Sequence, residues 1–200
     1  MQILHPFAGS VQQYTEQLSN PDSHRPGHCP QCHAHHPLTA HGFYTRTLVD
    51  TVFDGFIRVR RYLCHACKRT VSLLPEFVLP YLRSSLVLIA LFLVARLLGG
   101  RTLAATAKAS HSSMPYQRGQ FWIRRFVRHA ETLCTSLAPL TPPVVAPDFV
   151  RRALVMLEST GWISAHRFLF ADLRRHLLGW PPSLAPHGRR ATLAPSATPV

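Results

Sequence analysis

The sequence predicts an α+β fold: a small β-sheet clipped by four cysteines, then an α-helical bundle, then a disordered C-terminal tail. Three observations carry this. Four of the cysteines form two C-x2-C pairs, Cys29/Cys32 and Cys64/Cys67. The residues between the pairs alternate with the two-residue period of strands. From Leu82 onward apolar residues recur at helical spacing, and Gly99-Gly100 and the prolines at 139, 142, 143 and 147 punctuate them.

The N-terminus comes first. MQILHPFAGS has no basic start, no long apolar run and no small-residue cleavage site, so a secretory leader is not expected. A short helix is expected from about Ser10 to Leu18, with Val11, Tyr14 and Leu18 on one face. Residues 1–24 therefore read as an N-terminal helix or arm.

The cysteine pairs follow, separated by residues 33–63. Without a leader the expected compartment is the cytoplasm, where such pairs are metal ligands more often than disulfides. A two-residue spacer lets one tight turn offer both thiolates to one ion, and two such turns close a tetrahedron. Four sulfurs leave no open position, so the expected ion is one structural Zn2+ held by Cys29, Cys32, Cys64 and Cys67. His28, His33, His35, His36, His41 and His65 lie near these turns and are the alternative ligands. Cys134 stands apart on a helical pattern and reads as a small core residue.

Strands are expected at His41–Val49 and Phe56–Leu63, with Asp50–Gly55 as a turn region that contains Asp54-Gly55, and a third at Thr70–Leu74. In the second, Ile57 and Val59 alternate with Arg58 and Arg60, giving one apolar and one basic face. Two cysteine turns on such a sheet make a zinc ribbon, spanning residues 25–79. Its core is small, so the metal supplies much of its folding energy.

The runs CPQC, HGFYTR, IRVRRYLCHAC and LPEFVLPY resemble the zinc-ribbon and helix-turn-helix N-terminal region of bacterial insertion-sequence transposases, and a related transposase-like domain of unknown function. The resemblance covers about residues 25–130. It implies a ribbon followed by a helix-turn-helix that together recognise the ends of a mobile element. In that family a catalytic domain with three spaced acids normally follows.

The helical segment, residues 80–138, is expected to hold three helices. The first runs from about Leu82 to Leu98 and is apolar on nearly all sides, as a central bundle helix or dimer surface would be. Its greasiest run, Leu86 to Ala95, is far short of the ~20 residues that span a bilayer. The second fits Thr102–Ala109. The third runs from about Pro115 to Leu137, with Ser113 as its expected N-cap. On its wheel Tyr116, Ile123, Val127 and Ala130 read as the core side, and Arg118, Trp122, Arg125 and His129 as the outer, basic side. That outer face, with Gln117 near the helix start and Lys108 on the preceding helix, suits a major-groove reader. Arg58 and Arg60 of the ribbon are the remaining candidate nucleic-acid contacts.

After the linker, Phe149–Ser159 and Ile163–Leu178 read as two helices around Gly161, placed here to close the bundle, to pair subunits or to lie on a membrane surface, in that order. Together residues 139–180 form the linker and C-terminal helices. Residues 181–200 are rich in Pro, Ala, Ser and Thr, and are expected to be disordered.

Charge points the same way as the motifs. Hydrophobic residues make up 46% of the 200-residue chain, so it can bury a core, while 22 Lys and Arg against 9 Asp and Glu leave a net charge of +13. Between Glu76 and Glu131 there is no acid at all. A polyanionic partner follows, and carboxylate-based chemistry is disfavoured. Only Asp148, Glu158 and Asp172 lie after the linker, which is too little chain for a two-metal nuclease core. The expected function is therefore a DNA-binding protein of transposase-like type, not itself an enzyme. Its expected partners are duplex DNA, a second copy of the chain and a separate catalytic chain, with no membrane. The expected location is cytoplasmic and nucleoid-associated. The alternatives are a zinc-ribbon protein-interaction module and an RNA binder.

Overall fold

The structure is a computed structural model, and it describes residues 1–16, 22, 24–111 and 114–179. Four strands form one sheet: β1 (Gln2–His5), β2 (Leu38–Val49), β3 (Asp54–Cys64) and β4 (Thr70–Pro75), in the order β1-β4-β3-β2. β2 and β3 make a long antiparallel hairpin with Val49 opposite Asp54, and Leu38 opposite Cys64. β4 returns antiparallel to β3, and β1 pairs parallel to β4 with Gln2 opposite Ser72.

The three expected strands are present, each a little longer than its pattern suggested. The N-terminal region is not merely an arm, however, because β1 is part of the sheet. Four residues are too few to display a two-residue period, and a parallel partner distant in sequence leaves no turn signal. A short helix α1 (Val11–Glu16) follows. Its Tyr14 hydroxyl donates to the Arg58 carbonyl (3.0 Å), which seats the helix on β3. The expected end at Leu18 lies outside the described residues.

Five further helices form the bundle: α2 (Leu86–Leu97), α3 (Leu103–Ser110), α4 (Tyr116–Leu137), α5 (Phe149–Thr160) and α6 (Trp162–Arg167). α2 starts four residues later than expected because Ser85 caps it. Its hydroxyl accepts from Leu88 N–H (3.0 Å), and the preceding residues are held as extended chain beside β2. Thr102 caps α3 in the same way. The expected cap of α4, Ser113, lies outside the described residues.

The second C-terminal helix is shorter than its pattern. α6 ends at Arg167, Phe168–Asp172 form a π-helical turn, and residues 173–179 run as irregular chain that buries His176, Leu177 and Leu178. The segment closes the bundle, the first of the three placements considered. The expected disordered tail, residues 181–200, lies outside the described residues.

Sheet and bundle share a core, in which Val49, Leu79 and Leu82 pack with Phe92, Trp122, Phe126 and Leu154. A buried carboxylate joins them. Glu76, at the end of β4, accepts from Phe7 N–H and from both Nε and Nη2 of Arg167 on α6 (2.9 and 2.5 Å).

The orientation of α4 differs from the wheel reading. Trp122 is 1% exposed, and Phe126, Ala130, Leu133 and Leu137 continue its buried stripe, whereas Tyr116 and Val127 are about half exposed. Both stripes are apolar enough to serve as a core face. The neighbours decide between them, with Phe92 of α2 meeting Trp122 edge to face (5.4 Å between centroids). Arg118, Arg125 and His129 flank that buried stripe rather than facing solvent squarely.

Candidate metal centre and basic surfaces

The cysteine turns are near copies of one another. In the first, Cys29 N–H donates to Ala34 O (3.0 Å) and His33 N–H to Cys29 O (2.9 Å). In the second, Cys64 N–H donates to Arg69 O and Lys68 N–H to Cys64 O, both 2.9 Å. His33 and Lys68, each four residues after the first cysteine of its turn, both take left-handed backbone (φ 59° and 57°). The first turn leads into β2 and the second links β3 to β4. The pairing of Leu38 with Cys64 therefore brings two turns distant in sequence to one corner of the sheet.

All four Sγ atoms lie within 4.8 Å of one another. Cys29–Cys67 and Cys32–Cys64 are each 3.7 Å apart. A tetrahedral ion with metal–sulfur bonds of ~2.3 Å requires sulfur–sulfur edges of about 3.8 Å, so the donor set fits such an ion. Backbone N–H groups also point at the sulfurs, Gln31 to Cys29 (3.4 Å) and Cys67 to Cys64 (3.5 Å), as suits thiolates.

The thiols already titrate unevenly. Burial alone would raise Cys64, but the N–H of Cys67, the Cys67 and Cys29 thiols and the N–H of Ala66 bring it down to about 7. Burial and the neighbouring sulfurs push Cys67 up to about 12. Among the described residues, no histidine joins the cluster of potential metal ligands. His65 instead sits 2.9 Å from the Thr39 hydroxyl, and the rings of His28 and His35 tilt against each other. Cys134 is buried in the bundle with its thiol toward the Phe149 carbonyl (3.4 Å), the core role its pattern suggested.

The candidate nucleic-acid contacts divide into four groups. Gln117 and Lys108 are exposed, as is Arg58, whose guanidinium lies 4.4 Å from the Phe43 ring centroid. Arg60 stacks on the same ring (4.8 Å) but is ion-paired to Asp22 (2.7 Å) with its side chain only 12% exposed, so its charge is already matched. Arg118, Arg125 and His129 are partly buried, and the C-terminal segment lies against the last two. Arg125 Nη1 donates to Gly179 O (2.8 Å), and a Cβ at Gly179 would stand 3.0 Å from His129 Cγ. Trp122 is inaccessible. The wheel reading therefore misplaced the outward side of α4. The outward side of α4 carries Gln117, Phe121, Arg124 and Arg128 instead. The four-residue step from Arg124 to Arg128 was the available signal for that face.

Arg96 of α2, Leu103 of α3 and Gln120, Ile123 and Arg124 of α4 line one shallow pocket of about 220 Å³. Arginines from two helices thus meet over the third. The arrangement as a whole is a sheet carrying a four-cysteine cluster that could hold a metal ion, packed on a basic helical bundle.

Residues 29–114 match a family described as a domain of unknown function (DUF6431). The matched segment begins at the first metal-site cysteine, takes in all four, and ends just before α4. Comparisons with curated proteins and with solved structures found no match. No helix is long and apolar enough to cross a membrane among the described residues.

Proposed function

We propose that this chain is a DNA-binding protein of transposase-like type in which one structural zinc, held by Cys29, Cys32, Cys64 and Cys67, fixes a ribbon beside a basic helical reader. The observation that carries it is the set of outward cations Arg101, Lys108, Arg124 and Arg128 on a stretch of chain with no acid between Glu76 and Glu131. A surface of one sign attracts a polyanion and neutralises its phosphates. The contacts move from Arg118, Trp122, Arg125 and His129 to Gln117, Arg124 and Arg128, with Lys108 and Arg58 retained.

Zinc suits four clustered thiolates, which iron can also occupy. The proposal leaves strand cleavage to a separate catalytic chain. Asp148 caps α5 (2.8 Å to Arg151 N) and Glu158 accepts the Trp162 indole N–H (2.6 Å), so both have structural duties. A protein-interaction module is the second reading, favoured by Val87 and Leu91, exposed on α2.

Fluorescence anisotropy with a duplex separates the two. Arg124→Ala with Arg128→Ala should weaken binding and reduce the slope of log K against log salt by about 0.9 per lost phosphate contact. A duplex affinity and slope unchanged in that variant would remove the reader face.

A further inference from the structure

Between the end of α4 and the first turns of α5 lies a cleft of about 530 Å³, walled on a third side by the linker at residues 141–144. Phe149, Arg152 and Met156 fall three and four residues apart, so one face of α5 forms its wall. Cys134 and Ala138, four apart, do the same on α4. On the third side the fixed φ angles of Pro142 and Pro143 stiffen the chain. The volume and the mostly apolar lining are those of a small-molecule site.

The polar groups narrow the ligand. Thr135 and Thr141 line the cleft, but their hydroxyls donate to the carbonyls of Glu131 (3.2 Å) and Leu137 (3.3 Å). The Cys134 thiol is turned to the Phe149 carbonyl (3.4 Å). Arg152 is different. No carboxylate lines the cleft, and among the described residues no ion pair engages Arg152. Its Nε is buried without a hydrogen-bond partner. Asp148, one turn earlier, is engaged with Arg151 instead, at its N–H (2.8 Å) and its Nε (3.9 Å). The Arg152 guanidinium lies over the Phe149 ring, 5.8 Å from its centroid. Its charge reaches the Cys134 thiol, which burial pushes up and Arg152 pulls down. A guanidinium stays charged, and a buried N–H with no acceptor is unfavourable, so the cleft presents one unanswered cation among apolar walls.

We propose that this cleft binds a small carboxylic acid with an apolar chain, its carboxylate on the Nε edge of Arg152 and its chain along Met156, Phe149 and the Pro142-Pro143 lip. One planar cation matches one carboxylate, whereas a phosphate polymer is held by a row of cations. The thioether of Met156 lets the wall adapt to the chain it meets. The site shares no residue with the duplex reader proposed above and does not depend on it.

Calorimetric titration of the full chain tests this with three eight-carbon probes, octanoate, octanol and octylamine. Octanoate should bind at one site per chain, about tenfold more tightly than octanol, and octylamine should bind least. Arg152→Met keeps the apolar stem and removes the charge, so it should weaken octanoate about tenfold and leave octanol unchanged. Arg151→Met removes the same charge from the exposed neighbour and should leave octanoate unchanged. A loss confined to Arg152 separates the cleft from general attraction of an anion to a chain of net charge +13. Octanoate should also slow alkylation of Cys134 by N-ethylmaleimide, read by mass spectrometry of the Cys134 peptide. That measurement needs only the parent chain and decides the matter if Arg152→Met does not fold. Failure of the parent to bind octanoate, equal affinity for octanoate and octanol, equal losses in the two arginine variants, or no protection of Cys134 would overturn the proposal.

Discussion

Gly119→Ala reports directly on which face of α4 is inside. At a solvent-facing position in a helix, replacing Gly by Ala stabilises by about 1 kcal/mol. Here a Cβ at position 119 would lie 2.2 Å from Phe92 Cζ, 2.7 Å from Cε2 and 2.9 Å from Cε1. Carbon pairs prefer about 3.5–4.0 Å, so the overlap exceeds 1 Å. The Phe92 ring is fully buried and set edge to face against the equally enclosed Trp122, and it has no free space to enter. Overpacking of this kind costs about 1–3 kcal/mol, and so deep an overlap belongs at the upper end. Setting the propensity gain against it leaves a net loss of about 2 kcal/mol. For a chain of this size that lowers Tm by about 4–8 °C. Thermal melting followed by circular dichroism at 222 nm measures it. A variant that melts higher than the parent would mean that Gly119 and Trp122 face solvent, and the buried stripe assigned to α4 would be wrong.

Two further outcomes follow from buried groups. Cys64→Ser removes one of four thiolates, and metal analysis should fall from one zinc per chain to a small fraction. Structural sites of this type contribute about 10–16 kcal/mol to folding. The sheet should therefore lose its near-ultraviolet signal while the bundle keeps its helical signal, and an unchanged zinc content would refute the four-ligand assignment. The second concerns His166 and His176. Burial, reinforced by the nearby His176, pushes His166 down to about 3, and burial pushes His176 down to about 4 against the pull of the Pro80 carbonyl. Both stay neutral in the folded state where the unfolded chain, near 6.5, takes up protons, so stability is full above pH 6.5 and falls as pH drops toward 4. At pH 5 the loss is about 2 kcal/mol per histidine. His166→Leu should reduce the drop in urea midpoint between pH 7.5 and pH 5, and an equal drop in parent and variant would count against a neutral, buried His166.

Much of the chain is legible residue by residue. The C-x2-C pairs mark the four cysteines that cluster as candidate metal ligands, because cysteine spacing is local chemistry. The hairpin is legible because Ile57 and Val59 must share a face, and Gly99-Gly100 ends α2 where its apolar pattern ends. Illegible were features whose cause lies elsewhere in the chain. β1 exists because β4 offers it an edge, and Tyr81 takes left-handed backbone (φ 65°) because Arg46 and His176 hold its neighbours.

Spacing and residue type alone determined the four-sulfur cluster, the strand and helix segments and the excess of positive charge, since each depends on side chains within a few turns of one another. Only the folded arrangement decided which stripe of α4 is hidden, which arginines stay open to a partner and which histidines are sealed from protons. Those outcomes depend on what packs against each surface, and two nearly equivalent apolar stripes can be told apart only by the partner that covers one of them.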